Sequence, residues 1–288
     1  MNVVKPSFLA LAVTAAASQL AVAGQQQQAN GFIEDSSLKL LNRNFYMNRD
    51  FHDGGSNGEG INGSKPASER NGYREEWAHG AMLNFVSGFT QGTVGFGADA
   101  FAYGGIKLDT GRGRVGAGLL PISNNRTADA EVPDSFGEIG GAVKMRVSST
   151  ELKYGEQRPT APVFAMGDNR LLPEVATGFQ LSSREFTDLF LEAGHFTAYN
   201  GRNSTNSDDK LLSSYGGVEA DSYDFFGGSY KVNDNLSLMA YASEAEEVWR
   251  QYFGRAAYVL PLADKQALDF TLAAYKTSDE GESRAGKI

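Results

Sequence analysis

The chain has 288 residues with 35 acidic and 26 basic side chains, a formal net charge of −9, and no cysteine. The absence of cysteine excludes a disulfide framework and a thiol nucleophile, and an acidic balance without a basic tract argues against nucleic-acid binding. A hydrophobic content of 41% is too high for a disordered chain, and 34 glycines with only 8 prolines favour many strands joined by tight turns.

Residues 1–23 have the features of a secretory signal peptide. Lys5 supplies a positive end, an apolar run extends from Phe8 to Ala17, and Ala21-Val22-Ala23 is a small-x-small cleavage site. The run is shorter than the roughly 20 apolar residues that span a bilayer, and the polar tract after it disfavours the alternative of an N-terminal core helix. We expect cleavage after Ala23 and an exported protein, either periplasmic, extracellular or in an outer membrane as a barrel.

Apolar residues alternate with small or polar ones in several later segments. The apolar sets are Trp77, Leu83, Phe85 and Phe89; Val94, Phe96, Ala98 and Ala100; Val143, Met145 and Val147; and Leu268, Phe270, Leu272 and Ala274. A two-residue period indicates strands with one apolar and one polar face.

A soluble sandwich and a membrane barrel both produce this alternation, and three features favour the barrel. The segments are about ten residues long, as tilted transmembrane strands require. Aromatic residues cluster at segment ends, where an interfacial girdle is expected: Phe45, Tyr46, Trp77, Phe89, Trp249, Tyr252 and Phe253. Short connections (90–92, 148–150, 231–235 and 261–266) alternate with long ones (48–72, 109–135, 157–176 and 200–221).

The pattern predicts eleven strands after the signal peptide. They lie near 36–47, 75–89, 93–107, 136–147, 150–156, 177–184, 187–199, 222–231, 236–244, 247–260 and 267–277. Bacterial single-chain barrels have an even number of strands and must close. We therefore interpret residues 24–288 as an incomplete, antiparallel up-and-down transmembrane β-barrel, the N-terminal portion of a longer protein.

Several blocks of the chain resemble the OprD family of substrate-specific outer-membrane porins. They include Gly31 to Ser37, Ser87 to Phe96, Leu152 to Gly155, Thr160 to Phe164, Arg170 to Pro173, Thr177 to Leu181, Leu191 to Thr197 and Pro261 to Asp264. The resemblance extends over residues 31–288 and implies a barrel of roughly 18 strands, of which about eleven are present.

Basic residues recur on the polar faces of the predicted strands. The proposed substrate path comprises Arg43, Arg49, Arg74, Lys144, Arg146, Lys153 and Arg158, with Lys39 on the same face of the first strand as Arg43. Stacked cations in a narrow channel hold a carboxylate at successive weak sites. The resemblance implies such a basic ladder, with Arg49 and Arg74 at matching positions; the alternative for each residue is an ordinary wall or rim charge.

The connection from Arg158 to Ala176 is rich in proline and too apolar at Val163 to Met166 for a solvent loop. The resemblance makes it an inward constriction loop near 158–176, whereas a loop folded outward is the alternative. On this interpretation Asp168 and Arg170 face the pore, and Leu171, Leu172 and Pro173 anchor the loop against the wall. Asp168, together with Asp99 on a wet strand face, would accept a substrate ammonium or guanidinium group.

The sequence predicts a Gram-negative outer-membrane porin for small carboxylate-bearing solutes such as basic amino acids or small peptides. The expected partners are membrane lipid, these solutes and the barrel-assembly machinery, without nucleic acid, metal or cofactor. We expect no enzyme: His52, His79 and His195 lack metal spacing, and no nucleophile elbow or phosphate-binding loop is present. The alternatives are a serine-peptidase-like activity, attached to some family members and here centred on His195, and a structural barrel.

Overall fold

A computed structural model describes residues 24–111, 113–122, 132–212, 217–263 and 266–287. The predicted signal peptide and its cleavage site lie outside these segments. Within them the chain forms strands and three short 3-10 helices, at Gln25–Gln28, Gly60–Ser64 and Ala67–Glu69. No helix in this part of the chain is long and apolar enough to cross a membrane.

In the described segments, eleven long strands form one sheet, and each predicted strand is present with bounds within three residues of those expected. They are β1 (Ser37–Asp50), β2 (Tyr73–Val86), β3 (Val94–Asp109), β4 (Ser135–Val147), β5 (Thr150–Gln157), β8 (Val175–Ser183), β9 (Leu189–Asn200), β12 (Tyr223–Lys231), β13 (Leu236–Ala245), β14 (Trp249–Pro261) and β15 (Ala267–Asp279). Four two-residue strands lie in the connections: β6 (Thr160–Ala161), β7 (Phe164–Ala165), β10 (Leu211–Leu212) and β11 (Glu219–Ala220).

The sheet is antiparallel and strictly sequential. Each long strand pairs with the next long strand along the chain, from β1 at one edge to β15 at the other. Short turns join the strands at one end, and four of the five connections at the opposite end are long. The exception is the tight turn 246–248 between β13 and β14, so the predicted alternation of short and long connections fails at that one position.

The two faces of the sheet differ as the period of two requires. One face, which we call the bare face, exposes large apolar side chains such as Phe96 (57% exposed), Leu272 (75%) and Ile139 (85%). The other, the covered face, carries charged residues and is overlaid by residues 113–122 and 158–174, whose apolar side chains are buried against it. The sheet therefore buries its polar side and leaves its apolar side open.

The expected girdle of strand-end aromatics is only partly correct. Tyr46, Trp77 and Tyr252 are exposed, but Phe89, Trp249 and Phe253 are each less than 9% exposed. Trp249 and Phe253 belong to a buried cluster with Phe164 and Phe196 on the covered face. Both side chains point to the covered face and pack against residues 158–174. Their position near a strand end does not show which face they are on.

Candidate functional site

The connection 158–174, which we call the crossing loop, begins on the covered face with a hairpin of β6 and β7. Phe164 in this hairpin stacks on Tyr223 (ring centroids 4.4 Å apart) and contacts Phe196 (4.9 Å). The Tyr223 hydroxyl donates a 2.6 Å hydrogen bond to the carbonyl of Val163. This aromatic contact anchors the first part of the loop to β9 and β12.

The second anchor lies on β2 and β3. Leu171 and Leu172 are 0% and 2% exposed, and they occupy the space above Gly80 and Gly105. A Cβ at Gly105 would lie 2.9 Å from Leu171 Cδ2, so the absence of a side chain there makes room for the leucine. Pro173 is also fully buried. The loop is thus held at two separate places on one sheet.

The crossing loop also reaches both edge strands. Near one end Arg43 of β1 donates hydrogen bonds to the carbonyls of Arg170 and Leu171. Near the other, the Tyr275 hydroxyl of β15 donates to the Pro162 carbonyl at 3.3 Å. The loop therefore spans the whole covered face instead of projecting from the strand ends.

Asp168 lies at the middle of the loop between two arginines. Its Oδ1 is 2.8 Å from Arg43 Nη1, and its Oδ2 is 3.0 Å from Arg158 Nη2. Partial burial raises the pKa of the Asp168 carboxyl, but the hydrogen bonds from Arg43 and Arg158 outweigh it, and the net effect lowers the pKa below its usual range. The carboxylate predicted to receive a substrate cation is therefore already paired with two cations of the chain.

A second inward segment, residues 115–120, lies beside the crossing loop and is missed by the sequence prediction. Leu119 and Leu120 are fully buried and share a cluster with Leu171 and Leu172. Glu76 of β2, 0% exposed, holds this segment with both carboxylate oxygens. They accept backbone N–H groups of residues 116 and 117 (2.8 and 3.2 Å) and of residues 119 and 120 (2.8 and 3.3 Å).

A second charge cluster lies on the covered face, nearer the end with the short turns. Asp99 of β3 accepts 2.6 Å hydrogen bonds from Lys144 of β4 and from Lys153 of β5, one at each carboxylate oxygen. Lys144 also donates to the Ser87 carbonyl at 2.9 Å, and its side chain is 4% exposed. As with Asp168, one carboxylate joins two of the predicted path cations.

The remaining predicted path residues, and Arg170 of the predicted constriction loop, occupy three separate positions. Arg74 bonds to Asn57 Oδ1 (3.0 Å) and the Gly116 carbonyl (2.9 Å) and, like Arg49, stacks on the Phe51 ring near the long connections. Arg170 is half-buried beside its anchored neighbours, and its guanidinium reaches the Asn169 carbonyl. Arg146 lies at the short-turn end of the sheet.

This geometry is matched by a known family. A family profile described as outer membrane porin, OprD family, matches residues 30–288. The chain belongs to the OprD family of outer membrane porins. Its eleven strands are part of an antiparallel transmembrane barrel in the Gram-negative outer membrane, where the apolar bare face lies against lipid and the covered face lines the lumen.

Individual OprD-family proteins are similar to the chain over nearly all of its length. Porin D of Pseudomonas aeruginosa is 48% identical, over 100% of this chain and 61% of that protein. The crystal structure of P. aeruginosa OprD has a TM-score of 0.69 at 42% identity, covering 91% of this chain and 55% of that one. P. aeruginosa OpdK with vanillate has a TM-score of 0.74 at 32% identity, covering 90% and 61%. The chain spans about three fifths of the length of the curated relatives it matches.

The histidine considered for peptidase chemistry lies on the lipid face. His195 of β9 is opposite Asp224 of β12, with Nδ1 and Oδ1 2.8 Å apart, and both side chains are partly exposed. Within the described segments no serine hydroxyl is hydrogen-bonded to His195, so the geometry gives a triad no support. In the same segments no three acidic or histidine side chains converge as a metal site requires.

Proposed function

We propose that the protein is a passive channel for small carboxylate-bearing solutes, with the crossing loop as its constriction. The loop extends from Arg43 on one edge strand to Tyr275 on the other, which supports a narrowed lumen. A narrow, partly desolvated passage strengthens electrostatic selection because nearby charges are less screened there.

The charge balance of the two clusters supports anion preference. Arg43, Arg158 and Asp168 combine two cations with one carboxylate, and Lys144, Lys153 and Asp99 do the same. Each cluster therefore keeps one net positive charge on the lumen face. The carboxylates fix the positions of the cations, and a solute carboxylate can contact a cation already held in place.

Basic amino acids and small peptides are the solutes we propose. Their carboxylate would pass along the net positive clusters, and vanillate, present in the crystal structure of the OpdK relative, is also a carboxylate. The supporting observation is that Asp99 and Asp168 are each paired with two cations, so that each cluster keeps a positive charge for the solute carboxylate.

The test is ion selectivity of the intact protein in a planar bilayer. Arg158→Gln and Lys153→Gln should each lower the chloride-to-potassium permeability ratio and weaken the current block by propionate, by about threefold, because each removes the excess charge of one cluster. Lys231→Gln, at an exposed turn pair with Asp234, is the control and should change neither value. Carboxylate block equal in all four proteins would overturn the proposal.

A further inference from the structure

The segment that precedes β1 is folded into the short-turn end of the lumen face, the end that faces the periplasm in outer-membrane barrels. Gln26 there is 2% exposed. Its backbone N–H donates to the Ser148 carbonyl at 2.8 Å, and its Nε2 donates to the carbonyls of Thr90 and Gly92 at 2.9 and 3.1 Å. Gln26 thus ties the leading segment to two turns, to one through its backbone and to the other through its side chain.

Gln26 also positions a cation. Its Oε1 accepts a 3.1 Å hydrogen bond from Arg146 Nε, and the Arg146 guanidinium carbon lies 4.0 Å from the centroid of the Phe89 ring. Arg146 is therefore held by its Nε atom and by one planar face. Within the described segments its two terminal nitrogens have no hydrogen-bond partner, which leaves the bidentate edge of the guanidinium free.

The strand beneath this arrangement is shaped for it. A Cβ at Gly95 would lie 2.3 Å from Gln26 Oε1, and a Cβ at Gly97 would lie 2.7 Å from Lys144 Cε. Glycine at these two positions gives Gln26 and Lys144 the space they occupy. Lys144 is committed to Asp99 and to the Ser87 carbonyl, so Arg146 is the cation with free donors.

A carboxylate lies on the same cavity. Gln25, Gln28, Asp35, Phe89, Lys144 and Arg146 are among the residues that line a space of about 500 Å³. Asp35 accepts hydrogen bonds from the Asn30 side chain (2.7 Å) and backbone (2.8 Å). These bonds, together with the charge of Arg146, lower the pKa of the Asp35 carboxyl, which is therefore ionised at neutral pH.

We propose that this cavity is a binding site for a small zwitterion at the periplasmic mouth of the channel. The solute carboxylate binds the free edge of Arg146, its ammonium group faces Asp35, and the leading segment positions both. The proposal rests on the proposed transport function and adds a second, oppositely charged contact that the constriction clusters do not supply.

The test uses three small solutes with the intact protein in a planar bilayer: alanine with both charges, propionate with the carboxylate only, and ethylammonium with the cation only. The measured value is the concentration that halves the potassium chloride current. Alanine should block at the lowest concentration. Arg146→Gln should raise the value for alanine and propionate about tenfold, the loss expected for one charge-assisted contact. Asp35→Asn should raise it for alanine and not for propionate.

Two further variants separate the site from general effects. Gln26→Leu keeps every charge but removes the acceptor of Arg146 Nε, so it should weaken alanine block even if Arg146→Gln fails to insert. Arg184→Gln removes a cation at the same end of the sheet, where Arg184 stacks on Phe190 at 4.1 Å outside the cavity, and should leave all three values unchanged. The site is wrong, and the channel function stands, if propionate still blocks but the blocking concentrations are unchanged in all three site variants, as in Arg184→Gln. These variants are Arg146→Gln, Asp35→Asn and Gln26→Leu. No propionate block in the unmodified protein would overturn the function itself.

Discussion

Glu76→Gln tests whether one buried carboxylate holds the inward segment 115–120. Glu76 is 0% exposed and accepts four backbone N–H groups from that segment. Glutamine keeps one acceptor oxygen, so two of the four N–H groups lose their partner and face an amide NH₂ instead. A hydrogen bond to a charged group contributes about 1.5–3 kcal/mol, so the two lost bonds should cost about 3–6 kcal/mol of unfolding free energy.

The assay is urea unfolding of the intact protein in lipid vesicles, followed by circular dichroism, with single-channel current noise as a second measurement. The noise should rise because residues 119 and 120 lie in the same cluster as Leu171, an anchor of the crossing loop. Glu75→Gln is the matched control, since Glu75 is partly exposed and pairs with Arg114; it should cost about 1 kcal/mol or less. Equal stability of the two variants would refute the role assigned to Glu76.

Three other outcomes are expected. Leu171→Ala should destabilise the protein by about 3 kcal/mol, as removal of a fully buried leucine does, measured by the same unfolding assay with Leu262→Ala, in an exposed turn, as control. Asp168 has a lowered pKa, so its ion pairs are fully formed above the ordinary carboxyl pKa of 3.8 and are lost as pH falls through the lower folded value. Anion selectivity measured against pH should show a change below 3.8 that is absent in Asp168→Asn. Gly95→Ala should displace Gln26, raising the rate at which protease cleaves the leading segment, whereas Gly254→Ala, which meets no neighbour, should not.

The strands were predictable because a sheet between lipid and water imposes a period of two on every strand. The end of β2 was less so: alternation continues through Phe89, but the strand ends at Val86. Beyond it the backbone N–H of Gly88 bonds to the Phe32 carbonyl of the leading segment and leaves the ladder. A tertiary contact decides this boundary, and local pattern does not record it.

The second inward segment carried a readable feature that the prediction did not use. Val115 to Pro121 is as apolar as the stretch 163–166 that identified the crossing loop, and by the same reasoning it could not be a solvent loop. The residue that anchors this segment, Glu76, could not be predicted. Glu76 is fully buried, but the local sequence does not distinguish it from the exposed or half-buried acidic residues near it.

The ion pairs were the least predictable part of the site. Asp99 and Lys144 are not directly opposite: Asp99 pairs in register with Ala142, and Lys144 pairs with Gly97. Their contact is a diagonal one that depends on the exact register of β3 and β4. Residue type and strand face predicted which cations share the lumen side. They did not predict which acids pair with those cations.

In the crossing loop, attachment to the sheet and electrostatic charge depend on different residues. Phe164 and Leu171 attach the loop to the sheet at separate points. Asp168 lies between them and forms the ion pairs. If the proposed function holds, substitutions between these two points change the charge that a solute meets without loosening the attachment. In such a channel, a few substitutions in the loop would change the solute selectivity while the strands and the attachment points stay the same.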